Sequence, residues 1–260
     1  MNILAIGDVV GNPGRRAIAE TFSQIREQYS VDFFIANCEN AAAGSGITPK
    51  IADEIFSMGV DVITMGDHVW DQKDVFDYIQ KHERILRPAN YPREAPGKGS
   101  VIAVSRDGHK VGVINAVGQV FMKPVDSPFA AVKEEVARIA KETPVIIVDI
   151  HAEATSEKIA LGWYLDGQVS AVLGTHTHVQ TADERIFPKG MAYITDLGMT
   201  GPYRSVLGRE IEPVLRRFTT QLPSRFGVAE EDVKLMGVLI EVDHLTGKAG
   251  KISRISIDIP

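Results

Sequence analysis

The chain has 260 residues, which fits one large domain or two small ones and lets roughly three-quarters of the unfolded surface be buried. Hydrophobic residues make up 44% and charged residues 24%, an ordinary globular balance, and the net charge of -6 argues against a general nucleic-acid coat or an anionic-membrane binder. Cys38 is the only cysteine, so no intrachain disulfide and no multi-cysteine cluster can form, and any metal must be held by histidine, carboxylate and amide groups.

The first apolar run, Ile3 to Ile6, is too short for a signal-peptide core, and no window reaches the roughly 18 apolar residues of a membrane span. A cytoplasmic protein is expected. Buried strands are predicted over Asn2–Gly7, Val31–Ala36, Val60–Met65, Val111–Asn115, Val145–Ile150 and Ser170–Leu173, which are rich in β-branched residues and bounded by turn residues. Helices are predicted over Gly14 to Tyr29, from Thr48-Pro49 to Gly59, over Asp71 to Gln80, and from Ser127-Pro128 to about Lys141. Alternating strand and helix implies an α/β fold with much parallel pairing. Met191–Thr195, Met236–Asp243 and Lys251–Ile259 read as later strands, the last two joined by a turn at His244-Leu245-Thr246-Gly247, and a second, partly antiparallel sheet would hold them. Pro88 to Gly99 reads as a surface loop.

The informative pattern lies at the carboxyl ends of the strands. In chain order five of these ends carry Asp8, then Asn37-Cys38-Glu39-Asn40, then Gly66-Asp67-His68, then His151, then Gly174-Thr175-His176-Thr177-His178. Ligands in open α/β sheets bind outside the carboxyl ends of the strands. These five strand ends thus bring carboxylate, amide or imidazole groups to one edge, and extended backbone would point His176 and His178 the same way. Taken singly, Asp8 reads as a turn residue, Glu39-Asn40 as a loop pair and His151 as a buried histidine; the whole set does not. Imidazoles with carboxylates and no thiolate suit manganese, iron or zinc. The ligands outnumber the needs of one tetrahedral ion, and two metals about 3.5–4 Å apart sharing a carboxylate would use them, as in phosphoester hydrolysis.

This ordered set resembles the calcineurin-like metallophosphoesterases, and more narrowly their bacterial YmdB-like branch, the 2',3'-cyclic-nucleotide phosphodiesterase group. The stretches that carry the narrower resemblance are Gly7-Asp8-Val9-Val10-Gly11, His151 to Lys158, Gly174 to Asp183 and Thr195 to Pro202. The resemblance implies a single domain over 1–260, a four-layer α/β/β/α sandwich of two mixed sheets flanked by helices. It implies a first metal on Asp8, Glu39, Asn40 and His178, a second on Glu39, Asp67, His151 and His176, and His68 as the proton donor to the leaving oxygen. The implied cofactors are two transition-metal ions, iron or manganese or both, with zinc as a further choice. Where the wider superfamily has a histidine two residues after the first aspartate this chain has Val10, and where the family usually has asparagine it has Asp67.

The expected activity is hydrolysis of a cyclic nucleotide, 2',3'-cyclic or also 3',5'-cyclic, by metal-bridged hydroxide with His68 as general acid. The alternatives are a phosphomonoesterase or protein phosphatase on the same site, and a regulatory or RNA-associated protein with a structural metal site. The expected partner is a small nucleotide phosphodiester, without membrane or general nucleic-acid binding; the chain could also form a homo-oligomer. Two weaker motifs accompany these: Gly11-Asn12-Pro13-Gly14 with Arg15-Arg16 as a helix start near phosphate, and Trp70, Trp163 and Tyr164 as a base-binding wall or, more simply, core packing. No Walker loop, dinucleotide-binding glycine motif, nucleophile elbow or zincin motif occurs.

Overall fold

The computed structural model describes residues 1–260. It opens on β1 (Asn2–Ile6), β2 (Asp8–Val9), α1 (Gly11–Tyr29), β3 (Phe33–Asn37), α2 (Pro49–Ser57), β4 (Val62–Thr64), α3 (Val75–Lys81) and β5 (Ile85–Leu86). A second run holds β6 (Ser100–Val104), β7 (Lys110–Val117), α4 (Pro128–Ile139), β8 (Ile146–His151), α5 (Thr155–Leu165), β9 (Ala171–Thr175), β10 (Arg185–Ile186) and β11 (Ala192–Ile194). Then come β12 (Met199–Pro202), α6 (Ile211–Thr220), β13 (Val233–Val242) and β14 (Ala249–Asp258).

Two mixed sheets result. In the first, β1, β3, β4 and β5 run parallel, and antiparallel β13 lies along the other side of β1. β13 also pairs with β14 and with β12, which carries β2. In the second sheet β7, β8, β9 and β11 run parallel, with β6 and β10 antiparallel at the edges.

Side-chain alternation along the strands makes the layers. In β1, Leu4 and Ile6 pack with Ile18 and Phe22 of α1, Ile55 of α2 and Ile79 of α3, whereas Ile3 and Ala5 turn to the other sheet. In β8, Ile147 joins that inter-sheet core with Val113 and Leu173, while Ile146, Val148 and Ile150 pack with Val136 of α4 and Leu161 of α5. Each such side chain contributes about 1.5–3 kcal/mol on full burial. The architecture is therefore the four-layer α/β/β/α sandwich. Helix α6 stands apart, with Val214 its only buried residue. No helix is long and apolar enough to cross a membrane.

Local signals account for several boundaries. Thr48 Oγ1 accepts the Ile51 N–H at 3.3 Å and Pro49 opens α2, as expected. Residues 88–99 form the loop that crosses from the first sheet to the second. Two expectations need correction, and one helix was not expected. Of the late strands only β11 enters the second sheet; β13 and β14 instead complete the first, because β1 offers an unpaired edge there. Helix α3 begins at Val75 rather than Asp71, since Asp71 N–H bonds to the His68 carbonyl at 3.0 Å and holds the preceding residues in turns. Helix α5 has no clean apolar stripe to read, because Glu157 and Lys158 are buried beside Leu161 and Leu165.

Candidate metal centre

The ends of β1, β3, β4, β8 and β9 converge. They bring Asp8, then Glu39 and Asn40, then Asp67 and His68, then His151, then His176 and His178 to one place. The convergence joins the edges of two sheets, where strand order alone suggested one.

Glu39 lies at the middle, fully buried. Its Oε1 is 3.1 Å from His151 Nε2 and 3.0 Å from His68 Nδ1, and its Oε2 accepts the His68 backbone N–H at 3.2 Å. Burial alone would raise this carboxyl; the His151 and His68 rings hold it well below its ordinary range. Gly66 makes the approach feasible, because a Cβ there would run into the Glu39 carboxylate and the His151 ring.

On one side of Glu39, ligand atoms of Glu39, Asp67, His151 and His176 all lie within 4.8 Å of one another. His151 Nε2 stands 3.5 Å from Asp67 Oδ1 and 3.0 Å from His176 Nδ1. Ligands at about 2.1 Å on neighbouring corners of a coordination shell are about 3 Å apart, so these spacings suit a shared cation. On the other side, His178 Nε2 lies 3.2 Å from Asn40 Oδ1 and 3.7 Å from Asp8 Oδ1. His178 Nδ1–H donates to the Leu207 carbonyl at 3.1 Å, which leaves a lone pair on Nε2 facing those two oxygens. Acceptors facing acceptors repel unless a cation lies between them.

A second observation supports the fit. Asp8 Oδ1 and Asp67 Oδ1 are both buried without a hydrogen-bond partner. An unmet buried polar atom costs about 1–3 kcal/mol, and more when charged. The donor set of imidazole, carboxylate and amide oxygen is one that can hold a divalent metal cation.

Residues that no motif singles out orient these groups. His151 Nδ1 contacts Thr175 Oγ1 at 2.9 Å, and that hydroxyl donates to Asp149 Oδ1 at 2.8 Å. Asp149 also accepts from Thr64 Oγ1 at 2.5 Å and Asn37 Nδ2 at 3.0 Å. The chain sets the His151 tautomer with Nε2 toward Glu39 and Asp67, as outer partners of metal ligands do. Burial raises the Asp149 carboxyl above its ordinary value. The readable signal is a carboxylate inside the otherwise apolar stretch before His151.

The backbone of the last segment departs from the extended form expected. His176 and His178 have φ of 101° and 64°, in the left-handed region. Their rings diverge, His176 toward His151 and His178 toward Asp8 and Asn40. Such strain costs about 1–3 kcal/mol per residue and persists only where the surroundings over-determine it. Here Asp196 does so: its Oδ2 accepts the Thr177 N–H at 3.0 Å, the Thr177 hydroxyl at 2.7 Å and the Lys158 ammonium at 2.8 Å. Both charges of that ion pair are fully buried. Lys158→Ala should therefore destabilise the protein by about 3–5 kcal/mol, because Asp196 is left uncompensated. A thermal midpoint lowered by less than about 2 °C would contradict this, since 1 kcal/mol already shifts it about 2–4 °C at this size.

The weaker motifs resolve differently. Arg15 is committed to Glu54 at 3.3 Å and to the Ala41 carbonyl at 2.7 Å, so the start of α1 is a structural junction. Trp163 packs on Phe187 and Tyr164 on Phe129 at the outer α5 layer, and Trp70 packs on Phe76 and Tyr91.

Comparison with known proteins agrees over nearly the whole length. The model of the family described as YmdB-like protein matches residues 4–255. A Bacillus subtilis protein named 2',3'-cyclic-nucleotide 2'-phosphodiesterase is 53% identical over 258 residues, 99% of this chain and 97% of that one. The crystal structure of a hypothetical protein from Thermus thermophilus superposes with a TM-score of 0.93 at 40% identity, covering 100% of both chains. That of a novel phosphatase from Mycoplasma pneumoniae gives 0.93 at 36% identity, covering 99% of this chain and 93% of the other. The chain thus belongs to the YmdB-like protein family.

Proposed function

We propose that the chain is a two-metal phosphodiesterase acting on small cyclic nucleotides, the 2',3'-cyclic monophosphates first and 3',5'-cyclic ones second. The observation that carries this reading is the pair of buried, unpartnered carboxylate oxygens on Asp8 and Asp67, either side of Glu39, with imidazole nitrogens aimed at them. The name of the Bacillus subtilis relative supports the substrate class. Asp8, Asn40 and His178 would hold one cation, Asp67, His151 and His176 the other, and Glu39 both. When bound, such a pair neutralises charge on the phosphoryl oxygens and acidifies a water. Iron or manganese best matches three imidazoles among hard oxygen donors.

The protein's own groups then have distinct tasks. Thr175 and Asp149 hold His151 in one tautomer, and the Leu207 carbonyl does the same for His178. His68 is half-buried beside Glu39, with its Nδ1–H directed to that carboxylate, so Nε2–H is left to protonate the departing ester oxygen. Without that proton the oxygen leaves as an alkoxide, a poor leaving group.

Purified protein incubated with manganese or iron should contain about two ions per chain. It should also hydrolyse 2',3'-cyclic AMP faster than a simple phosphomonoester such as p-nitrophenyl phosphate. One ion or fewer by elemental analysis would defeat the paired site. Preference for the monoester would defeat the substrate class.

A further inference from the structure

An imidazole that binds metal through one nitrogen presents the other as an N–H, and its partner there fixes tautomer and ring orientation. His151 Nδ1 meets the Thr175 hydroxyl and His178 Nδ1 the Leu207 carbonyl. His176 is the third such ring. Its Nδ1 faces His151 Nε2 at 3.0 Å and Asp67 Oδ1 at 3.9 Å, while its Nε2 lies 3.2 Å from Glu153 Oε2. Glu153 is not among the groups proposed to bind metal, and the ring stands between it and them.

The backbone brings this carboxylate to the rim of the site. Glu153 lies in the three residues that join β8 to α5. Gly118 N–H bonds to the His151 carbonyl at 2.9 Å and Ala152 N–H to the Thr175 carbonyl at 3.4 Å, which ties that connection to the ends of β7 and β9. Ala152 is wedged inward, since a Cβ on Gly118 would run into it, and Glu153 turns outward beside His176. Given the two-cation reading proposed above, we infer that Glu153 is a positioning residue for the second cation. Its carboxylate accepts the Nε2–H of His176 and holds the Nδ1 lone pair toward His151 and Asp67. The terminal torsion of a glutamate is broad, so the oxygen reaches the N–H axis without leaving its rotamer. His176 needs such a partner because its ring is only partly buried, unlike that of His151. An exposed contact of this kind adds little to stability, so its effect is on the geometry of the ligand.

Removing Glu153 should therefore be felt by the metal and not by the fold. Calorimetric titration of manganese into the full chain reads both affinities. Glu153→Ala should weaken one of them about 10–100-fold and leave the other near its wild-type value. The thermal midpoint of the metal-free protein should move by less than about 2 °C. Glu153→Gln keeps an acceptor oxygen and should recover most of the lost affinity, whereas Glu153→Lys, which can only donate, should not. Proton–nitrogen correlation spectra of the rings, recorded with zinc and without metal, read the tautomer directly. With zinc, His176 should carry its proton on Nε2 in a single ring form, and Glu153→Ala should broaden or double that signal. The inference fails if Glu153→Ala binds both ions as tightly as the wild type, or if Glu153→Gln does no better than Glu153→Ala. It fails equally if the His176 proton resides on Nδ1. A wild-type chain that takes up one ion or fewer defeats the two-cation reading instead, and the His176 spectra still decide the role of Glu153.

Discussion

Replacing His68 with alanine should slow hydrolysis of an unactivated phosphodiester about 10²–10⁴-fold, the usual worth of a positioned general acid. The hydrogen bond to Glu39 raises the pKa of this imidazole, with the charges of Glu39 and Asp67 adding to it against an opposing effect of burial. A raised pKa keeps the ring protonated to higher pH, so the donor persists through neutrality. Activity should then fall only on the alkaline side of the ordinary imidazole range, and that fall should vanish in the variant. Alanine also deprives Glu39 of a hydrogen bond, which is a separate effect. His68→Asn separates the two, because its short amide can still donate toward Glu39 but has no proton to transfer. It should lose turnover as alanine does while keeping its metal. A diester with a p-nitrophenolate leaving group needs little protonation and should lose far less in either variant. Equal losses on both substrates would remove the acid role from His68.

The groups proposed to bind metal are legible in the sequence because each lies at the end of a short buried strand, and parallel strands deliver their ends together. Their partners are less so. Asp149 looks misplaced in an apolar strand until β3, β4 and β9 bring Asn37, Thr64 and Thr175 to it. Lys158 likewise interrupts a helical pattern, and only Asp196, from a loop 38 residues away, explains its burial. Register between elements distant in sequence supplies these contacts, and local periodicity carries none of that information. The same holds for β13, whose apolar residues pack on both faces and mark it as a central strand without naming its neighbour. The left-handed φ at His176 and His178 is hidden for another reason. Neither residue type announces it, and the conformation is imposed by the bonds Asp196 makes with Thr177.

Asp67→Asn should loosen the second cation and, at saturating metal, raise turnover near neutral pH. In the structure Asp67 Oδ1 points to His151 Nε2 at 3.5 Å and His176 Nδ1 at 3.9 Å. It makes no hydrogen bond to His68, so the substitution leaves the contact between His68 and Glu39 in place. Burial would raise the Asp67 carboxyl, yet the neighbouring His151 ring holds it below its ordinary value and therefore ionised at neutral pH. Asparagine keeps an oxygen at this position and removes the charge. Hard divalent ions hold anionic oxygen more tightly than amide oxygen. The loss in affinity should be no smaller than the about 10–100-fold that outer partners of a metal site are worth. With three carboxylates reduced to two, the fully loaded site carries more positive charge. A group that must lose its proton there does so at lower pH, and the alkaline rise of the pH–rate profile moves down with it. Metal titrations and pH–rate profiles of both forms at saturating manganese decide the matter: unchanged affinity, or a rise that stays put or moves upward, would sink this account of Asp67.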